Sequence, residues 1–212
     1  MAVSFDLFGT LVRAERLDDP GAAIADELAA RDVDVPADWD QAYRERHIDA
    51  PEGAEVPLPA HVAAALRSRG IEAPGNAARR AVVAAFDPDV ERREGARRAV
   101  EAARERGPVG VCSNTSAPEL ARRTLLRADL GDAFDAVVTS VGCGWRKPDS
   151  RAFEALANRL GVDTAALVHV GDDPETDGGI EAAGGRFVDV AETTLGSFPA
   201  WLEAQDDGVT GR

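Results

Sequence analysis

Five short apolar runs recur along the chain, and their spacing constrains the fold more than any other feature. They are Val3 to Phe5, Val109 to Cys112, Ala136 to Thr139, Leu167 to Val170 and Phe187 to Val190. Each is long enough for a strand and too short for a helix. Interleaved with them are Ala96 to Glu105, Pro118 to Arg127, Ser150 to Leu160 and Glu175 to Ala183, where apolar residues return every three or four positions. This alternation predicts the α/β class: a Rossmann-like parallel sheet with helices on both faces. Such sheets place their sites beyond the carboxyl ends of the strands.

The first interval breaks the rhythm. About ninety residues separate the first run from the second, interrupted by Pro20, Pro36, Pro51, Pro57, Pro59, Pro74 and Pro88. Its Ile24, Leu28, Val62, Leu66, Val82 and Phe86 are spaced to line short helices. The expected organisation is a small all-helical domain over 14–86, inserted into a core made of 1–13 and 87–212. The stretch from Gln205 to Arg212 is expected to fray.

Charge narrows the partners. Lys and Arg total 24 against 38 Asp and Glu in 212 residues, a net of 24 − 38 = −14, with no basic stripe. Nucleic acid and anionic membrane surfaces are therefore excluded as partners, since both need clustered cations. Lys147 is the only lysine, so the other 23 of the 24 cations are arginine. Lysine depletion with excess acid suggests adaptation to concentrated, halophilic salt, where self-repulsion is screened; a GC-rich genome gives a similar bias. Cys112 and Cys143 have no disulfide or zinc spacing. With no leader-like start and no long apolar span, the expectation is a soluble cytoplasmic protein.

Reactive residues gather where the strands end. The first run leads into Asp6-Leu7-Phe8-Gly9-Thr10, the second into Ser113-Asn114, and the loop after the third holds Arg146-Lys147-Pro148. The fourth ends in Gly171-Asp172, with Asp177 five residues on. In order and spacing these four motifs resemble the haloacid dehalogenase-like (HAD) hydrolase superfamily, over about residues 3–190. The inserted helices fall where that family carries its cap.

The resemblance implies roles residue by residue. Asp6 corresponds to the nucleophile that forms a covalent aspartyl intermediate. Ser113 donates to phosphoryl oxygens, and Lys147 places a compact charge beside the reacting group, where arginine's planar fork is a poor substitute. Asp6, the Phe8 backbone carbonyl and Asp172 are the implied ligands of Mg²⁺; Asp177 either ligates through water, orients Lys147 or caps a helix. Thr10 and Asn114 are candidate substrate-binding residues. So are Arg44 and Arg46, beside Tyr43 and His47, although a solvated helix face is the plainer reading of that cluster. His169 is taken as a packed residue, and Cys143 as part of a flexible loop.

One position departs from the pattern. Phosphatases of the superfamily carry a second aspartate two residues after the nucleophile, and here Phe8 stands in its place. General acid–base help is worth about 10²–10⁴ in rate, or ~3–6 kcal/mol. Its loss matters greatly for alkyl phosphates and little for good leaving groups. The leading expectation is a Mg²⁺-dependent phosphatase of a small phosphorylated metabolite. A 2-haloacid dehalogenase-like enzyme, whose motif also carries an aromatic residue here, and a catalytically silent phosphate-binding module are the alternatives. Two facing carboxylates without a cation repel, so the acidic fourth motif favours the first. The physiological substrate and oligomeric state are not legible.

Overall fold

In the computed structural model, residues 1–207 are described. The chain opens with β1 (Ala2–Phe5), every residue of which is buried, and turns back through β2 (Val12–Ala14). Four helices follow: α1 (Pro20–Ala29), α2 (Trp39–Arg44), α3 (Leu58–Arg67) and α4 (Ala77–Ala85). β3 (Val90–Arg92) then pairs antiparallel with β2, Val12 opposite Arg92, so the chain leaves and re-enters the core through one ribbon. Next come α5 (Ala96–Arg104), β4 (Val109–Ser113), α6 (Leu120–Arg127), β5 (Ala136–Thr139) and the single turn α7 (Ser140–Cys143). α8 (Ser150–Leu160), β6 (Leu167–Gly171), β7 (Arg186–Asp189) and α9 (Phe198–Asp207) complete it.

The sheet is parallel, in the order β5-β4-β1-β6-β7. β1 is central because strands are added outward on one side by β4 and β5, then on the other by β6 and β7. That reversal makes a crevice beside the end of β1. The two-residue period of the strands sorts their side chains onto opposite faces. Val3, Phe5, Val109, Val111 and Val170 pack with Val100 of α5, Leu125 of α6 and Phe198 of α9. On the other face Ala2, Cys112, Val138 and Leu167 pack against Phe153 and Leu156 of α8. Helices thus cover both faces, as expected of near-continuous apolar strands.

The inserted helices build an apolar cluster of their own from Ile24, Leu28, Trp39, Val62, Leu66 and Val82. Asp19 caps α1 by accepting from the Ala22 amide at 2.9 Å, and Pro20 starts that helix where a missing N–H costs nothing. Phe8 is half-buried and packs against both this cluster and the sheet's.

Three elements differ from the sequence expectation. The ribbon β2–β3 escapes a periodicity search because each strand has three residues and carries charge at Arg13, Glu91 and Arg92. The stretch expected as a helix from Glu175 forms a 3₁₀ segment, Asp177–Ala183. Gln205, expected to fray, lies in α9, anchored by buried Phe198 and Leu202 one turn apart; residues 208–212 lie outside the described residues. Among the described residues no helix is long and apolar enough to cross a membrane.

Candidate active site

Asp6 leaves β1 with its amide donating to the Val170 carbonyl at 2.8 Å, which aims the side chain off the sheet's carboxyl edge. The chain then bends at Gly9, whose φ is +94°. A Cβ there would overlap the Asp172 carboxylate, so only glycine allows the two loops to approach. Gly171 has the same relation to Asp177.

Lys147 ties the crevice together. Its Nζ donates to Asp6 Oδ1 at 2.7 Å and to Asp177 Oδ1 at 2.5 Å, with only 3% of the residue exposed. Burial works against its charge, but the carboxylates of Asp6 and Asp177 hold its pKa above the ordinary lysine value. For Asp6 the balance falls the other way. Burial pushes its carboxyl up to about 6 against the pull of Lys147, and the charge of Asp177 adds to the rise. Asp177 is also buried, yet hydrogen bonds from His169 and Lys147 outweigh burial and keep it well below the usual carboxylate range.

The supporting contacts give several of the expected residues protein partners. Thr10, expected to bind substrate, is fully buried and donates its hydroxyl to Asp172 Oδ1 at 2.8 Å, so it orients that carboxylate. Asn114, also expected at the substrate, clamps the Lys147 backbone: its amide donates to the Lys147 carbonyl and accepts from the Lys147 amide, both at 2.9 Å. Both residue types offer local hydrogen bonds that compete with ligand contacts. Ser113 differs, since its buried hydroxyl has no partner among the described residues. An orphaned buried hydroxyl at the mouth of a site is free to meet a ligand oxygen.

Arg44 and Arg46 are not brought to Asp6. Their side chains are 74% and 70% exposed, pair with Asp40 and Asp49, and line a separate cleft of about 710 Å³ shared with His47 and His61. Asp177 accepts from the backbone amides of Asp172 and Asp173 at 3.1 and 3.2 Å, so it staples the fourth loop from within. His169 lies against Phe153 and joins Ser4 Oγ (2.8 Å) to Asp177 Oδ1 (3.1 Å). Burial lowers its pKa to about 4, so at neutral pH it is uncharged and reaches Asp177 as an Nε2–H donor. Packing was legible in its alternation along the strand; its hold on Asp177 was not. Cys143 is half-buried in the turn α7, where a loop was expected.

Two further residues escaped sequence reasoning altogether. Arg93 donates to the Gly9 carbonyl, bracing the bend after Asp6. Glu55, in the loop before α3, has a side chain only 4% exposed; it accepts from Ser140 Oγ at 2.5 Å and Arg146 Nη1 at 2.6 Å. Backbone bonds run alongside, from the Glu55 amide to the Gly144 carbonyl and from the Arg146 amide to the Gly53 carbonyl. The helical insert is thereby fastened to the loop that presents Lys147. A lone Glu in a proline-flanked loop carries no sequence signal of such a role.

Asp6, Asp172 and Asp177 each offer an oxygen, and the three lie within 4.8 Å of one another. Three carboxylates against one ammonium leave an acidic oxygen cluster, the donor chemistry that Mg²⁺ prefers. The Phe8 carbonyl accepts no backbone hydrogen bond among the described residues, which leaves it available as a fourth oxygen. Beside the same loops a cavity of about 520 Å³ opens between Phe8, Gly9, Asn114 and Thr115 on one side and Leu17, Pro20 and Phe86 on the other.

Comparison with known proteins identifies the family. The model of the haloacid dehalogenase-like hydrolases matches residues 1–184. A phosphatase of Mycobacterium tuberculosis is 42% identical over 92 residues, covering 43% of this chain and 42% of that protein, so the match spans less than half of either. A solved 2-haloacid dehalogenase of Pseudomonas syringae aligns over 96% of this chain and 98% of its own with a TM-score of 0.70 and 22% identity. A HAD phosphatase of Thermococcus onnurineus aligns over 89% and 85%, with a TM-score of 0.53 and 20% identity. At such identities the two structures speak for the fold.

Proposed function

The chain belongs to the haloacid dehalogenase-like hydrolases, and on that premise we propose that it is a Mg²⁺-dependent phosphatase of a small phosphorylated metabolite, acting through a phosphorylated Asp6. The observation that carries this reading is Lys147, buried between Asp6 and Asp177 while Asp172 completes an acidic cluster around the same point. An acidic cluster is a poor host for an anionic substrate unless a cation is held there too.

Asp6, Asp172 and the Phe8 carbonyl would hold the Mg²⁺, with Asp177 beside them; once bound, it neutralises carboxylate charge and polarises the phosphoryl group. Asp6 supplies an oxygen to phosphorus as the ester P–O bond breaks and its electron pair leaves with the alcohol oxygen. Lys147 balances negative charge on the transferring group, and the unpartnered Ser113 hydroxyl donates to one of its oxygens. Water then attacks phosphorus, the Asp6–phosphorus bond breaks, and phosphate departs with the carboxylate restored. Phe8 moves no proton in either half. The helical insert, 14–86, serves as the cap that excludes water over a core of 1–13 and 87–212.

The similarity to a Mycobacterium tuberculosis phosphatase supports this direction. A phosphomonoester panel, assayed with Mg²⁺ and with EDTA alongside halide release from 2-haloacids, tests it. Phosphate release only with metal is expected; metal-independent halide release would replace this reading with a dehalogenase, and neither activity would leave a silent module.

A further inference from the structure

The cavity beside Phe8 has two properties that Mg²⁺ chemistry leaves unexplained. Part of its wall is apolar, built by Phe8, Leu17, Pro20, Phe86 and Leu120, and its volume of about 520 Å³ suits a ring rather than a phosphate alone. Arg13 and Arg16 also line it, and neither side chain forms an ion pair within 4 Å among the described residues. Arg123 and Arg127 both pair with Asp87, and Glu15, also at the cavity, is engaged with neither Arg13 nor Arg16. Two guanidinium-bearing residues beside an apolar wall fit a ligand that is a ring at one end and an anion at the other.

Phe8 points to the same ligand by a separate route. With no proton donor two residues after the nucleophile, the departing oxygen leaves as an anion. An aryloxide spreads that charge into its ring, whereas an alkoxide does not. We propose that the cavity takes the leaving group of an aryl phosphate bearing a carboxylate, with the ring against Phe8 and Phe86 and the carboxylate on Arg13 and Arg16. The proposal rests on the phosphatase reading and names its substrate class. Asp6 oxygen bonds to phosphorus, the aryl oxygen–phosphorus bond breaks with its electron pair on the aryl oxygen, and that oxygen later takes its proton from water. Hydrolysis of the aspartyl phosphate returns the carboxylate and releases phosphate, the water's remaining proton passing to solvent.

The test compares kcat/KM with Mg²⁺ for para-carboxyphenyl phosphate, phenyl phosphate and glycerol phosphate, in the wild type and in Arg13→Ala, Arg16→Ala and the double variant. Wild type is expected to favour phenyl over glycerol phosphate by about 100-fold or more, the worth of the missing proton donor. It is expected to favour the carboxylated ester over phenyl phosphate by about tenfold, as one charge-assisted contact allows. The double variant loses that second preference, chiefly through KM. Both arginines are exposed, so the variants are expected to keep the wild-type melting temperature. Phosphate release without either preference, or a carboxylate preference that survives the double variant, overturns the substrate class and leaves the phosphatase standing. Release from none of the three esters, with no phosphate on Asp6, overturns both.

Discussion

Lys147 is asked to satisfy two carboxylates at once, and the geometry shows which one it serves less well. Asp177 has His169 and two backbone amides besides the ammonium, whereas Asp6 has the ammonium, the Leu7 amide and heavier burial. Asp6 is thus the less well compensated of the two carboxylates. Asp6→Asn removes that buried charge. It is expected to abolish turnover while raising the melting temperature of the EDTA-treated protein, and Mg²⁺ should then stabilise the wild type but not the variant. A variant less stable than wild type in EDTA would contradict this. Phe8 behaves differently at the same scale, since it packs on both apolar clusters. Phe8→Asp should quicken alkyl phosphate hydrolysis far more than p-nitrophenyl phosphate hydrolysis, and cost about 2 kcal/mol of stability by placing a charge among apolar neighbours. Equal rate effects on both esters, or none, would count against the lost-acid reading. That Asp6, Lys147, Asp172 and Asp177 meet was legible in the sequence because a strand end is a recognisable place. The tasks of Thr10 and Asn114 were not, because nothing in spacing says whether a hydroxyl or amide faces the ligand or a neighbouring loop.

Among the elements, the loop joining α2 to α3 matters more than its sequence suggests. It carries Glu55 into the space between Ser140 and Arg146, one residue before Lys147. Ser140 Oγ in turn accepts from the Thr115 amide at 2.8 Å, and Asn114 next to it holds the Lys147 backbone. Glu55 therefore couples the helical insert to both the Ser113 loop and the Lys147 loop as a positioning residue. Glu55→Ala removes a buried carboxylate that the Ser140 hydroxyl and the half-exposed Arg146 both donate to, and should cost about 1–3 kcal/mol of stability. It should lower kcat more than it changes KM, with Glu55→Gln restoring most of the rate. Unchanged kcat in Glu55→Ala, measured alongside denaturant unfolding, would separate this loop from catalysis. The long helices of the sheet domain were visible from their apolar period. The ribbon β2–β3 and the 3₁₀ segment were not: short strands and tight turns are decided by long-range pairing, which leaves no periodic trace.

For the whole molecule, alternation of strand and helix was enough to order the layers, since few topologies join such elements with short right-handed connections. What alternation does not reveal is how the inserted helices meet the sheet, because that seam is made by Phe8, Glu55 and Leu120 rather than by any repeating pattern. The net charge of −14 acts at this scale as well. Most of its ion pairs are exposed and individually weak, so self-repulsion outweighs them at low ionic strength. The melting temperature is expected to rise between low salt and about 1 M NaCl, where screening shortens to ~3 Å. A flat or falling curve would place the stabilisation elsewhere. A phosphorylated Asp6 is directly observable by acid-quenching the protein during turnover of a radiolabelled phosphomonoester. Label is expected on the peptide containing Asp6, only with Mg²⁺ present and never in Asp6→Asn; turnover without label on that peptide would rule out the aspartyl-phosphate route.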